Sequence, residues 1–297
     1  MESLLIPITV GVAFLGAIAA VTLILRRAVA DTVRRESDKP LPDGWLRLLD
    51  RHVSASSALT TAERVRLLRL SRDLIGRVRW EGCRGAVVDE TVQLVVAAQA
   101  CLMSFRIPGE HYENAREILM YPSVFVPRPA CQHYVRLTTT VDEPQPELGE
   151  TWTNGSIVLS WESVAEGASD PRDGHNVVYH EFAHVLAQEH HLDPTPRAPD
   201  ASGWYLRFPS ENTKMRPDVP NPDEWLRVLG ESVGRLSRRL AANQPSVLGD
   251  YADTKVAEFI AVGAEAFFEK PHELRDEDPA FYEQLSAFFR QDPATAS

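Results

Sequence analysis

The chain has 297 residues, of which 31 are basic and 42 acidic, so its formal net charge is −11 at pH 7. Such an acidic chain is repelled by the phosphates of nucleic acid, which argues against a nucleic-acid-binding protein. Its hydrophobic content of 44% is typical of a globular protein. The roughly 260 residues that follow the first apolar segment are enough for one sizeable domain.

The first predicted element is a membrane anchor. Residues 4–25 form an uncharged and mostly apolar run, which is long enough to span a hydrocarbon core as a helix. A secretory signal is the alternative, because Ala28-Val29-Ala30 matches a cleavage pattern. The length of the run and the basic pair Arg26-Arg27 after it favour a permanent anchor, so residues 1–29 are predicted to be a transmembrane segment.

The charges beside this segment predict its orientation. Basic residues follow the apolar run but none precedes it; they are Arg26, Arg27, Arg34 and Arg35. The positive-inside tendency therefore predicts a single-pass protein of the inner (cytoplasmic) membrane. A charged linker at residues 30–43 then leads to the main domain, residues 44–297, which is expected to face the cytoplasm. Three cysteines without C-x-x-C spacing agree with such a reducing compartment.

The pattern along the main domain predicts helices first and a small sheet next. Apolar residues recur at helical spacing in residues 45–52, 61–79 and 91–105. The last of these segments is almost uniformly apolar and is expected to lie at the centre of the core. Segments rich in β-branched and aromatic residues predict strands at 118–126, 134–141 and 157–161, the last preceded by an Asn154-Gly155 turn.

The central motif is His180-Glu181-Phe182-Ala183-His184, which reads H-E-x-x-H within an apolar run at residues 176–189. Residues i and i+4 share one face of a helix, so both imidazoles can reach one metal ion. Glu181 is then placed to accept a proton from a water molecule on that ion. Two histidines and a glutamate on a buried helix are unfavourable unless something binds them. The motif therefore predicts a zinc site.

A catalytic zinc ion usually takes three protein ligands, and two candidates for the third are present. His190 has the spacing of the metzincin motif, but that motif needs a glycine where this chain has Ala187, so His190 is expected to be a polar helix end. The other candidate is Glu258, which lies with Glu265 on one face of an apolar helix at residues 256–268. Tyr251 precedes that helix and is a candidate donor to a developing oxyanion.

The rest of the chain is predicted to contain an irregular segment and two helices. Residues 192–222 are rich in proline and are expected to be irregular, either a lid over the cleft or an inert excursion. Helices are predicted at 224–243 and 273–290. By analogy with zincin-type peptidases, the strand at 157–160 is a candidate to pair with an extended substrate, and the alternative is an ordinary interior strand.

Further segments carry a resemblance to a known family. They are A-A-Q-A-C-L at 97–102, Y-P-S-V-F-V at 121–126, G-E-T-W at 149–152 and V-L-S-W at 158–161. Together with the residues around His180 and Glu258, they resemble the Mlc titration factor A family over about residues 40–293. That family consists of bacterial zinc metallopeptidases of the gluzincin type, similar at the active site to the anthrax lethal factor catalytic domain.

The resemblance implies an α+β fold, namely a mainly helical zincin-like metallopeptidase domain with a small mixed β-sheet, preceded here by one transmembrane helix. It implies that His180, His184 and Glu258 bind Zn²⁺. It also implies that Glu181 is the general base and Tyr251 the phenol beside the oxyanion, with Glu265 orienting a ligand histidine. The sequence departs from the family after His184 and in the proline-rich segment.

Two functions follow from this resemblance. The first is a membrane-anchored zinc metallopeptidase that hydrolyses peptide bonds in a peptide or protein substrate, with an aminopeptidase-like preference. The alternative is a regulatory binding protein with weak or vestigial catalysis, because the protein after which the family is named sequesters a transcriptional repressor. Retention of Glu181 and Tyr251 favours the peptidase, since binding alone requires neither a base nor a phenol.

Overall fold

The computed structural model describes residues 40–109, 111–123, 155–200, 203–207 and 221–295, with backbone alone at 195–200 and 203–207. The elements below belong to the compact unit Gly44–Ser297. Its helices are α1 Trp45–His52, α2 Thr61–Arg77, α3 Glu90–Met103, α4 Trp161–Ser169, α5 Val177–Glu189, α6 Pro222–Ala241, α7 Val256–Glu269, α8 Pro271–Glu277 and α9 Pro279–Phe289. Its strands are β1 Arg79–Gly82, β2 Glu117–Tyr121, β3 Ser156–Ser160, β4 Thr195–Asp200 and β5 Gly203–Arg207. Short 3₁₀ turns lie at Ser54–Ala58 and Tyr251–Asp253. The predicted α+β class, mainly helical with few strands, is confirmed for these residues.

Side-chain caps explain several helix boundaries that the apolar pattern misplaced. The Ser160 hydroxyl accepts a hydrogen bond from the Ser163 backbone N–H, so α4 begins where the sequence predicted the end of a strand. The predicted helix at 273–290 is two helices, because the Asp278 side chain caps α9 and Pro279 occupies its first turn. Helix α2 ends at Arg77, two residues earlier than predicted, because the chain becomes extended and enters β1.

The sheet is built from sequence-distant strands in the order β1-β2-β3. Both pairings are parallel, with Arg79 opposite Glu117 and Glu117 opposite Ser156. The predicted mixed sheet is therefore wrong for these three strands. Between β1 and β2, the crossover through α3 returns the chain in the same direction. Within the described residues β3 lies at the edge of this sheet. The proline-rich segment, predicted to be irregular, contains the antiparallel hairpin β4-β5.

The core is centred on α3, as the sequence predicted. Val95, Val96 and Ala97 are at most 1% exposed, and α3 packs against α2, α4 and α5. Helix α5 also packs along α7, which in turn contacts α9. The contact between α7 and α9 requires Gly263, because a β-carbon there would lie 2.5 Å from the Phe281 ring. This packing brings α5 and α7 side by side, and the two helices carry the predicted metal ligands.

Among the helices of the described residues, none combines the length and apolarity needed to cross a membrane. The predicted anchor at residues 1–29 and the predicted strand at 134–141 lie outside the described residues. Cys83 and Cys101 are free thiols, and burial raises the pKa of Cys101 to about 12, so this thiol packs rather than reacts.

Candidate metal centre

Helix α5 is held at its first turn by Asn176. The Asn176 side-chain oxygen accepts hydrogen bonds from the backbone N–H groups of Val178 and Tyr179, both at 3.1 Å, which caps the helix. Its amide nitrogen donates to Gln99 Oε1 at 2.9 Å and to Glu269 Oε1 at 3.0 Å. One buried side chain thus connects α5 to α3 and to α7, so the start of the motif helix is fixed in position.

His180 and His184 lie one helical turn apart on the face that meets α7. Their Nε2 atoms are 3.3 Å apart, and their ring centroids are separated by 4.9 Å at an interplanar angle of 81°. The two rings meet edge to face, and each approaches the other through its Nε2 atom. Both Nε2 atoms can therefore bind one metal ion placed between them. This is the arrangement that the i, i+4 spacing predicted.

Glu258 on α7 completes a triangle of donor atoms. Its Oε2 lies 3.1 Å from His180 Nε2 and 3.5 Å from His184 Nε2. Ligands about 2.1 Å from a tetrahedral zinc ion are separated from one another by about 3.4 Å. The three observed separations of 3.1, 3.3 and 3.5 Å therefore match the edge of a zinc tetrahedron. Three electron-rich atoms this close require a proton or a cation between them, and the residues present fit a divalent metal ion.

Glu265 determines which nitrogen of His180 faces the triangle. This carboxylate is fully buried; its Oε1 lies 2.8 Å from His180 Nδ1, and its Oε2 accepts the Asn176 backbone N–H at 2.7 Å. An ionised carboxylate can only accept, so Nδ1 carries the proton and donates it. Displacement of the other ring proton by a cation therefore leaves the lone pair on Nε2, directed at the triangle, which is the tautomer that a metal ion requires.

The pKa directions report the same electron-rich centre. Burial by itself lowers the pKa of His180, but hydrogen bonds to Glu258 and Glu265 reverse this and raise it to about 10. Burial also acts to raise the pKa of Glu258, yet its hydrogen bonds with both histidines hold that pKa well below the ordinary value. Burial lowers the pKa of His184. Glu258 is therefore ionised at neutral pH and supplies the negative charge that a divalent cation needs.

Two further predicted residues lie beside the triangle. Burial raises the pKa of Glu181 to about 7, with the negative charges of Glu258 and Glu265 adding to the shift. A carboxyl group with a pKa near neutrality is suited to accept and release a proton. Tyr251 stands in the 3₁₀ turn before α7, with its ring centroid 6.1 Å from that of His180. The structure thus brings Tyr251, Glu181 and Glu265 beside the triangle of His180, His184 and Glu258.

His190 is the exception among the predicted candidates. It does not join the triangle: His190 lies at the C-cap of α5, as the prediction of a helix end implied, but its side chain is completely buried. His190 instead lies beside His111 and Glu189 at the other end of α5. Sequence reasoning also missed Asn176 and Glu269, although an asparagine just before an apolar helix is a recognisable capping signal.

Comparison with known proteins supports a peptidase relationship. The family model described as glucose-regulated metallo-peptidase M90 matches residues 28–290 of the chain. The uncharacterized protein slr2042 of Synechocystis sp. is 28% identical over 262 residues, which cover 86% of each chain. Proteins named Mlc titration factor A from Salmonella gallinarum and Salmonella paratyphi B are 25% and 26% identical over 240 residues, which cover 80% of this chain and 82% of theirs. The resemblance read from the sequence motifs is confirmed.

Proposed function

Because the chain belongs to the glucose-regulated metallo-peptidase family M90, we propose that it is a zinc-dependent metallopeptidase that hydrolyses peptide bonds. His180, His184 and Glu258 hold the zinc ion in a zincin-like domain. The observation that carries the proposal is the triangle of donor atoms with edges of 3.1, 3.3 and 3.5 Å. Two histidines and one glutamate are a donor set that catalytic zinc sites use, and they leave the fourth position for water or substrate.

Each residue around the triangle has a separate role in peptide hydrolysis. A bound zinc ion supplies a Lewis acid that activates water and polarises the peptide carbonyl. The Glu181 carboxylate accepts the proton of the attacking water and later delivers it to the leaving amine. The Tyr251 hydroxyl donates a hydrogen bond to the oxygen that becomes negatively charged. Glu265 keeps the His180 proton on Nδ1 throughout, so the ligand nitrogen stays available.

The test of this function is a Glu181→Gln variant. Glutamine has nearly the same size but cannot accept the proton, so hydrolysis should fall by about 10²–10⁴-fold while the zinc content is unchanged. Glu283→Gln is the matched control, because this exposed residue lies on α9 away from the site. Substantial hydrolysis by the Glu181→Gln protein contradicts the proposed base.

The preference for the peptide N-terminus is tested with the same assay. Family resemblance suggests aminopeptidase-like activity, which requires a free α-amine on the substrate. Pairs of short peptides that differ only in N-terminal acetylation should then be cleaved at different rates, with the acetylated member resistant. Equal cleavage of both members would show that no free α-amine is required and would contradict the aminopeptidase-like preference.

Binding of a protein regulator is the second candidate function. It is favoured by the name Mlc titration factor A, which several relatives carry. Such a role needs the fold but not the proton transfer by Glu181. If the wild-type protein contains stoichiometric zinc and cleaves no member of a broad peptide set, the binding function is the one that remains.

The membrane anchor at residues 4–25 is also part of the proposal, with the catalytic domain on the cytoplasmic side of the inner membrane. The uncharged apolar run and the arginines behind it support this placement. The protein should stay with the membrane through an alkaline carbonate wash, and a tag at its C-terminus should resist protease in intact spheroplasts. Release by the wash, or digestion of the tag from outside, contradicts the anchor or its orientation.

A further inference from the structure

A second group of potential metal ligands lies at the C-terminal end of α5. Glu189 is the last residue of that helix, His190 follows it, and His111 comes from the loop after α3. Each offers one nitrogen or oxygen atom, and these atoms all lie within 4.8 Å of one another. The exposed fractions of the three residues are 7% for His111, 6% for Glu189 and 0% for His190, so the group is enclosed by protein.

The charge of Glu189 has no basic counterpart in the described part of the chain. Its Oε2 accepts the Tyr112 backbone N–H at 2.8 Å and its Oε1 accepts the Asn114 backbone N–H at 2.9 Å. Within the described residues it forms no ion pair with a lysine or arginine. Each carboxylate oxygen has two lone pairs, so both oxygens retain one for a further partner. A buried carboxylate of this kind is stabilised by a cation.

His111 provides the observation that points to a ligand. Its Nε2 lies 3.1 Å from the Ile107 carbonyl oxygen, which can only accept, so Nε2 carries the proton. Its Nδ1 then has a lone pair, is buried, and has no hydrogen-bond partner among the described residues. A buried imidazole lone pair without a donor is unfavourable, and it is the group that a transition-metal ion binds.

The surroundings hold the three residues in place. The His190 ring lies 5.6 Å from the His111 ring and 5.2 Å from the Phe288 ring, measured between centroids. Tyr112 adopts a left-handed backbone conformation with φ of 63°, and its hydroxyl donates to the Ala100 carbonyl at 2.6 Å. Because the loop is fixed to α3 and to Glu189, the donor atoms are brought together before any ion binds.

We propose that His111, Glu189 and His190 form a second, structural site for a divalent transition-metal ion such as Zn²⁺. Imidazole and carboxylate together are typical ligands of such ions. The site also benefits from the C-terminus of α5, where the partial negative charge of the helix favours a cation.

This second ion is not a partner in the hydrolysis. Glu189 follows His184 by five residues, which is about 7.5 Å along the helix axis, whereas paired catalytic ions lie about 4 Å apart. The three residues are also buried, so a peptide in solution has little access to them. The ion instead links the loop after α3 to the end of the helix that carries His180 and His184.

The experiment isolates the second site by removing ligands from the first site, which is the triangle of His180, His184 and Glu258. The full-length protein carrying His184→Ala and Glu258→Gln is stripped of metal, titrated with Zn²⁺ by calorimetry and analysed for zinc after dialysis. One equivalent of zinc, together with a rise in the midpoint of thermal unfolding on adding Zn²⁺, is the expected result. Absence of zinc binding by this variant would overturn the proposal. The second site is unsubstituted in this variant, so a damaged second site could not explain that result.

A second arm assigns the remaining zinc to its ligands. Adding His111→Ala to the first two substitutions should remove both the zinc and the thermal shift, while circular dichroism reports whether the fold is kept. Retention of one equivalent of zinc without His111 would overturn the assignment. In the otherwise unmodified chain, His111→Ala should reduce the zinc content from two equivalents to one. If His180, His184 and Glu258 did not bind zinc, the variant with His184→Ala and Glu258→Gln would contain as much zinc as the wild-type protein.

Discussion

The two ends of α5 carry the same kinds of side chain but place them in different surroundings. Near its first turns, His180, His184 and Glu258 come from two packed helices, and the His184 and Glu258 side chains are each 11% exposed. At its C-terminus, Glu189 and His190 meet His111 from a loop, and that group is enclosed. Zinc sites that perform catalysis keep an open position, whereas structural sites are closed. Access of solvent, more than the choice of ligands, thus separates a candidate active site from a candidate structural site.

The largest expected effect distinguishes the two ends directly. Glu258→Ala removes one edge of the triangle, so the first site should lose its zinc and hydrolysis should fall to background. His190→Ala acts at the other end, where removal of a fully buried ring should lower the free energy of unfolding by about 2–5 kcal/mol. Zinc analysis, peptide hydrolysis and urea unfolding of both variants measure these effects. Loss of the first-site zinc in His190→Ala, with retention in Glu258→Ala, would reverse the roles of the two ends.

The second prediction concerns only the site formed by His180, His184 and Glu258. Tyr251→Phe removes only the hydroxyl that we expect to stabilise the oxyanion, so kcat should fall by about 10²-fold with KM and zinc content nearly unchanged. Tyr282→Phe is the control, since that hydroxyl donates to Asp292 and accepts from the Ala294 backbone N–H, neither of which is a predicted site residue. A kcat equal to that of the control would show that Tyr251 has no part in the chemistry.

How well the sequence predicted each contact depends on how far apart its residues lie along the chain. His180 and His184 are four residues apart and Glu258 and Glu265 seven apart, so helical periodicity alone places each pair on one face. The sequence could not join Glu189 to residues 112 and 114, because those contacts span 77 and 75 residues and depend on how the loop after α3 packs. For the same reason His190, which looked like a polar helix end, is buried against Phe288.

The strands illustrate the same limit for the fold. Strand β1 is short and its residues continue the charged pattern of α2, so only pairing with β2 reveals it. The hairpin β4-β5 contains prolines and reads as an irregular segment in sequence, although its backbone pairs antiparallel. Local propensity was sufficient for most helices and for β2 and β3, which overlap the strands predicted at 118–126 and 157–161, whereas β1, β4 and β5 became visible only through their partners.

A smaller effect is expected from the carboxylate behind His180. Glu265→Gln weakens the acceptor that holds the His180 proton, so zinc affinity at the first site should fall by about 10–100-fold. Glu269→Gln is the matched control, because this buried neighbour on the same helix bonds to Asn176 instead of to His180. Competition with a zinc chelator measures both variants, and equal affinities in the two would mean that Glu265 does not orient the ligand.

An effect on stability alone is expected at the start of α5, far from the second group. Asn176→Ala removes the helix cap and the donor to Gln99 Oε1 and Glu269 Oε1, so the free energy of unfolding should fall by about 2–3 kcal/mol. Asn221→Ala removes a comparable cap from the exposed start of α6 and should lower that free energy by about 1 kcal/mol. Equal losses would show that the buried network of Asn176 adds nothing to its cap.

Anomalous diffraction at the zinc absorption edge, from crystals of the zinc-loaded protein, tests the central claim most directly. We expect a strong peak bounded by His180 Nε2, His184 Nε2 and a Glu258 carboxylate oxygen, about 2.1 Å from each. No peak in that triangle, with zinc bound elsewhere in the same crystals, would contradict the assignment of these three residues as the metal centre.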